Sequence, residues 1–405
     1  MKWYAIAPLD VLMFRESKPF IPGEGSWAKG LFPPMPIAVF HALRSIKYDG
    51  SHKSQRGKRT VGDKQSGLHE FIGPFLLDEQ ENLWLPTPKD LIGVCEKNEK
   101  DDDNDDKLDE AVSNWKETTR LQPSQEMAEW EFVKHDAKSL PPMVPPVLPQ
   151  EPDSGKTNGK KKTNFICGRP QPWIKATALI KYLKGELPKS PNDFCDDPWG
   201  TQIMPHIQMK PGERQVKDEE GYFTEVAVRL KHGWSLVAGI SLDLGNSQEV
   251  IRLGGEGHRA IIYPLATDSP FSQQWKELQR FQTPQKDSKL AYLLTPGLGL
   301  VEEPDKPLRY GVYPSSWHNC LQGCVSDRAL LSGGISQIQR KNSITKEKGE
   351  FEFAFLPQRA FIPPGTVYIF KDAPPPASSL LPKQDQPWLE TFAKLNYGQL
   401  LWSQK

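Results

Sequence analysis

The stretch that decides the fold is the opening run Met1–Tyr48, MKWYAIAPLDVLMFRESKPFIPGEGSWAKGLFPPMPIAVFHALRSIKY. Trp3, Tyr4 and Ile6 alternate loosely with smaller residues, which predicts a strand over Lys2–Ala7. A long polar loop follows, carrying Pro19, Pro22, Gly23 and Gly25, before Pro33, Pro34 and Pro36 lead into a helix. Pro36 suits the first helical position, where a missing N–H costs little. Within that helix Val39, Ala42, Leu43 and Ile46 fall within about 100° of one another, and His41, Arg44 and Tyr48 fall on the far side. The chain therefore opens with a strand, a loop and a helix that has one core face and one partly basic face.

Further along, Phe71–Leu77 and Asn82–Pro86 read as strands, and WIKATALIKYLKGELP from Trp173 reads as a helix stopped at its Gly-Glu-Leu-Pro end. Two strand pairs are expected next. Tyr222–Leu230 and Ser235–Leu242 flank Lys231-His232-Gly233, and Glu249–Leu253 and Ala260–Leu265 flank the turn from Gly254 to Arg259. After a helix-like Gln273–Phe281, the pattern restarts with strands at Leu290–Leu294, Val325–Leu331, Phe351–Phe355 and Thr366–Phe370, a helix at Trp388–Leu395 and a strand at Gln399–Trp402. Each half follows the order strand, helix, two strands, helix, strand. The expected class is α+β, with two ferredoxin-like (βαββαβ) domains at 1–268 and 269–405, the order also used by RNA-recognition motifs.

The segment 96–164 interrupts the first domain. It holds an acidic run at Asp101–Asp106, a proline-rich Pro141–Pro149 and a basic Lys156–Lys162. Such composition buries too little apolar surface to offset the entropy of ordering, so a mobile low-complexity insertion is expected, with one short helix near Leu108–Leu121.

Composition narrows the function. Lys+Arg and Asp+Glu both number 51, so the net charge is zero and any nucleic acid must be held by local basic patches. The 38 prolines and 31 glycines imply long irregular connections and exclude a helical bundle or coiled coil. The five cysteines (Cys95, Cys167, Cys195, Cys320 and Cys324) match no zinc spacing and are expected to be reduced thiols. No signal-peptide core or ~18-residue apolar window is present, which points to a soluble cytoplasmic protein. Phosphate-loop, zinc-protease, nucleophile-elbow and calcium-loop motifs are all missing, so no enzyme, cofactor or metal is expected.

Two features suit RNA. In Gly254-Gly255-Glu256-Gly257 the glycines let a ribose-phosphate strand approach the main chain, and Arg252, His258 and Arg259 bracket them with donors. Spacing alone leaves open a plain hairpin turn that needs positive φ angles. The second feature is the N-terminal basic set: Arg15, Lys18, the turn Gly23-Glu24-Gly25-Ser26, Lys29, Arg44 on the helix, and the run His52–Lys64. Phe20, Trp27 and Phe32 are candidates for base stacking, although core packing explains each one singly. His41 and His258 carry the alternative reading, a metal-independent endoribonuclease with one histidine as base and the other as acid.

The residues then match a known pattern. Pro8-Leu9-Asp10-Val11-Leu12-Met13-Phe14-Arg15-Glu16-Ser17-Lys18-Pro19-Phe20, followed by Gly23-Glu24-Gly25-Ser26, resembles the opening of the third-subunit family of the Cmr complex, the type III-B CRISPR RNA-guided effector. Leu85–Asp90, His206–Met209 with Gly221–Phe223, Leu253–Ala260 and Ile362–Tyr368 resemble later family segments in the same order. The resemblance implies two ferredoxin-like domains of the RAMP (Cas5-like) superfamily. It also implies a non-catalytic role in antiviral defence: capping the crRNA 5′ tag and docking on the large polymerase/cyclase-like subunit beside the RAMP backbone subunits. Two departures stand out, the extra Gly257-His258 before Arg259 and a glycine-poor ending, Tyr397–Trp402.

Overall fold

The computed structural model describes residues 1–15, 27–28, 30–47, 69–98, 115–124, 140–148, 162–207, 215, 222–301, 309–341, 348–371, 379–383 and 387–404. The fold is mixed α and β, with sheets dominating and few helices. It divides into two compact units, each assembled from three stretches of chain: 1–74, 199–265 and 329–361, and 75–198, 266–328 and 362–405.

In the first unit the opening strand Lys2–Pro8 is central. It pairs antiparallel with Ser235–Ile240 on one side and Arg259–Pro264 on the other, and Glu249–Arg252 closes that edge. Tyr4, Ala5 and Ile6 are fully buried, so this segment is apolar on both faces, as a strand covered on both sides must be. The helix Pro36–Arg44 starts at its proline as expected and buries Val39, Phe40, Ala42 and Leu43. A second, small sheet pairs Trp199–Ile207 antiparallel with Tyr222–Leu230, which runs parallel to Trp27–Ala28. A long two-stranded ribbon, Leu330–Lys341 with Lys348–Phe361, completes the unit.

One expectation fails here. Tyr222–Leu230 and Ser235–Ile240 do not form a hairpin across Lys231-His232-Gly233 but belong to different sheets. The all-buried Ser235–Ile240 finds the apolar opening strand, whereas Tyr222–Leu230 alternates and finds its match in the half-exposed Trp199–Ile207. The Glu249–Arg252 and Arg259–Pro264 pair forms as expected.

The second unit has as its core a sheet ordered Leu321–Val325, Val367–Phe370, Leu290–Leu293, Leu400–Trp402. Trp317, Tyr368, Phe370 and Trp402 pack on it with ring centroids 5.2–5.6 Å apart. Beside the acidic run the expected helix is replaced at its end by a strand, Glu117–Arg120, paired with Leu91–Val94. Thr118 and Thr119 are β-branched, and Leu91–Asn98 offers an edge on one side while Lys162–Gly168 takes the other. Parts of the 96–164 segment are thus built into the unit, and its charged stretches at 101–106 and 156–161 lie outside the described residues. Cys95 and Cys167 form a disulfide across these strands, contrary to the reduced state expected for all five. Scattered spacing hid them, because 72 residues separate two cysteines that the sheet brings to a Cα distance of 5.7 Å.

Candidate functional site

The opening run and the glycine turn meet in the first unit. After its strand the chain passes Val11–Arg15, held to the small sheet by reciprocal main-chain bonds between Leu12 and Val228, both 2.8 Å. The Met13 carbonyl then accepts from the Gly255 amide at 2.8 Å. The turn itself is closed by Leu253 N–H to the His258 carbonyl and His258 N–H to the Gly255 carbonyl.

Two of the glycines are required for different reasons. Gly254 has φ +88°, and a Cβ there would stand 2.5 Å from the Met13 carbonyl oxygen, so close approach of the two chains needs a hydrogen at that point. Gly257 has φ +81° and open space beside it, so only its backbone conformation demands glycine. The turn thus needs positive φ angles, as the plain-hairpin alternative has it, and its close approach is to the main chain of Met13.

Around this junction lies a cavity of about 750 Å³. Met13, Leu31, Met35, Ala38 and Ile46 supply apolar walls, and Arg15, His41, Ser45 and Arg252 supply polar groups. That volume falls within the roughly 300–1,000 Å³ of small-ligand sites. His41 is held below its usual imidazole range by partial desolvation and by the neighbouring Arg44 guanidinium.

Of the expected site residues, Arg15, Arg252, Gly254 and Gly255 line this cavity. Arg15 also reaches Glu256 at 3.4 Å, an exposed and weak ion pair. Arg252 and Arg259 are directly paired across the hairpin and both are exposed. Arg44 instead lies over the Phe40 ring at 5.5 Å. Lys18, Gly23, Gly25, Ser26 and Lys29, together with Phe20 and the run His52–Lys64, lie outside the described residues. Phe32 packs edge-on against Trp199 at 4.8 Å and near Phe14 at 6.4 Å, a packing role.

His258 is not poised as an acid beside His41. Its Nε2 lies 2.9 Å from Glu225 Oε1, while His206 Nε2 lies 2.8 Å from Glu225 Oε2. Glu225 is 0% exposed and was missed by sequence reasoning. A signal existed: in YFTEVAVRL the strand alternation places Glu225 on the same face as the buried Ala227, where an acid needs partners. Among the described residues no group of three or more His, Cys, Asp or Glu could hold a metal ion. No helix among them is long and apolar enough to cross a membrane.

Known proteins offer three comparisons. A family model described as CRISPR-associated protein (Cas_Cmr3) matches residues 4–405. A search of curated proteins finds no match. Two solved structures of low similarity are a chain of a type III-B Cmr-beta complex bound to cognate target RNA, and one of that complex with cognate target RNA and AMPPnP. The first has 14% identity and a TM-score of 0.43, covering 98% of this chain and 96% of that one; the second has 13% and 0.40, covering 91% and 86%.

Proposed function

Because this chain belongs to the Cas_Cmr3 family of CRISPR-associated proteins and is thereby a subunit of a Cmr effector, we propose that it is the non-catalytic crRNA-binding subunit that caps the 5′ tag. It does so on two ferredoxin-like domains, and docks on the large polymerase/cyclase-like subunit beside the RAMP backbone subunits.

The observation that carries this reading is the arginine pair Arg252 and Arg259 at the mouth of the glycine turn. Directly opposite residues of an antiparallel pair share a face, and like charges there oppose folding. A phosphate between them turns that repulsion into two charge-assisted contacts. Gly257, with open space beside it, allows a backbone strand close, Arg15 adds a third cation, and the cavity beside them is open to a base. Contacts of this kind go to phosphate and sugar and set the register of the strand.

Reversing charge at Arg15 and at Arg259 should weaken binding of tag-bearing crRNA and lower the salt slope by roughly one for each phosphate that is no longer neutralised. The endoribonuclease alternative needs an acid and a base at one scissile phosphate. His41 lines the cavity, whereas His258 is tied to Glu225 and is not among its lining residues. Specific cutting of repeat RNA in EDTA, abolished by His41→Ala or His258→Ala, would overturn the binding-only reading.

A further inference from the structure

The glycine turn is tied down by contacts of different kinds, the weak exposed pair of Glu256 with Arg15 among them. Its first half is held by main chain, through the Gly255 amide on the Met13 carbonyl. Its second half is held by a side chain, through His258 on Glu225, up to Arg259, whose carbonyl accepts from the Leu9 amide at 3.0 Å. Between these ties Gly257 has no side chain to fix it and open space beside it.

Glu225 is suited to such a tie. A carboxylate accepts hydrogen bonds only, so each imidazole bonded to it donates from Nε2, which sets the ring orientation of both histidines. Burial of an ionised carboxylate is tolerated only when both oxygens are satisfied, and here one histidine serves each. His206 belongs to the hairpin partner of Glu225's own strand, in register His206 to Phe223 and Met204 to Glu225. His258 comes from the glycine turn. The carboxylate therefore couples the small sheet to the turn, with His206 keeping it in place.

We infer that Glu225 is the positioning residue of the glycine turn: through His258 it fixes Gly257 and His258, between the main-chain ties at Gly255 and Arg259, against the bound strand. The inference rests on the turn being the RNA-binding surface. Glu225 itself touches no ligand.

The full-length chain, titrated with a crRNA carrying its 5′ tag across a range of salt, tests this. Glu225→Ala is expected to weaken binding about tenfold, the loss of a charge-assisted bond, at an unchanged salt slope because every phosphate-binding cation is kept. Amide exchange at Glu256–Arg259 is expected to quicken. Glu225→Gln is expected to restore most of both, since its amide oxygen accepts from one imidazole and its NH2 donates to the other in the opposite tautomer. Wild-type affinity and exchange in Glu225→Ala would overturn the inference, as would a Glu225→Gln that behaves like Glu225→Ala. If Glu225→Ala does not fold, His258→Ala cuts the same tie from the turn's side; exchange at the amide of position 258, which donates to the Gly255 carbonyl, must quicken, and unchanged protection there overturns the proposal. Should charge reversal at Arg15 and Arg259 leave affinity intact while exchange still quickens, the RNA reading fails and the mechanical tie stands.

Discussion

Among the described residues two carboxylates are completely buried, Glu225 in the first unit and Asp90 in the second, and they are treated differently. Glu225 has a histidine on each oxygen, and one of them belongs to an exposed turn. Asp90 accepts from the Tyr182 hydroxyl at 2.7 Å, but its other oxygen stands 3.8 Å from Arg120 Nε, and neither of those two atoms has a hydrogen bond. Arg120 meanwhile lies 4.1 Å over the Tyr182 ring and donates to the Tyr182 carbonyl at 3.0 Å. The Asp90 cluster joins the strands Leu91–Asn98 and Glu117–Arg120 to the helix Ala176–Leu183. It holds a core together, whereas the Glu225 pair holds a surface in place. A buried acid is thus informative about function only through what lies on the far side of its partners.

That contrast can be broken by mutation. The largest effect on stability belongs to Asp90→Ala, which leaves the buried Tyr182 hydroxyl without its acceptor and removes the carboxylate facing Arg120. Unfolding in urea should show a loss of about 3–5 kcal/mol, with affinity for tag RNA unchanged once the protein is folded. Next comes Gly254→Ala, which forces a Cβ against the Met13 carbonyl at φ +88° and should cost roughly 1–3 kcal/mol while also lowering RNA affinity. A Gly257→Ala cost near the low end of that range, with its open surroundings, would separate close approach from backbone conformation.

A smaller effect concerns pH. Burial raises the Asp90 carboxyl above its ordinary range, against the opposing pull of Arg120 and Tyr182. The folded state then holds the proton where the unfolded state has lost it. This contribution is most favourable below the unfolded value of about 3.9 and declines as pH rises through the window up to the raised one. Asp90→Asn removes this slope, so thermal unfolding followed from pH 4 upward should decline less in the variant than in the wild type. The smallest stability effect is at Arg15, whose exposed 3.4 Å ion pair with Glu256 is worth under about 0.5 kcal/mol. Arg15→Ala should leave the melting temperature in place and still weaken RNA binding.

Much of this is legible in the sequence. The opening strand, the proline-started helix and the hairpin around the glycine turn follow from period and turn chemistry, which are local. The pairing of Tyr222–Leu230 is not legible because its partner, the preceding Trp199–Ile207, carries Gly200 and Pro205, which mask a strand, and the Cys95–Cys167 bridge is not legible because its ends lie 72 positions apart. Arg15 and Arg252 can be named from residue type and neighbourhood. Glu225 can be suspected from its place in an alternating strand, but its histidines lie 19 and 33 residues away in different elements.

The central claim is that the glycine turn beside Arg15 binds the crRNA 5′ tag through its phosphates. Its most direct test is the dissociation constant of the full chain for tag-bearing crRNA, measured against salt for wild type, Arg259→Glu and Arg15→Glu. The account predicts weaker binding in both variants and a log–log salt slope shallower by about one for each. Wild-type affinity and slope in both would place the RNA elsewhere and contradict it.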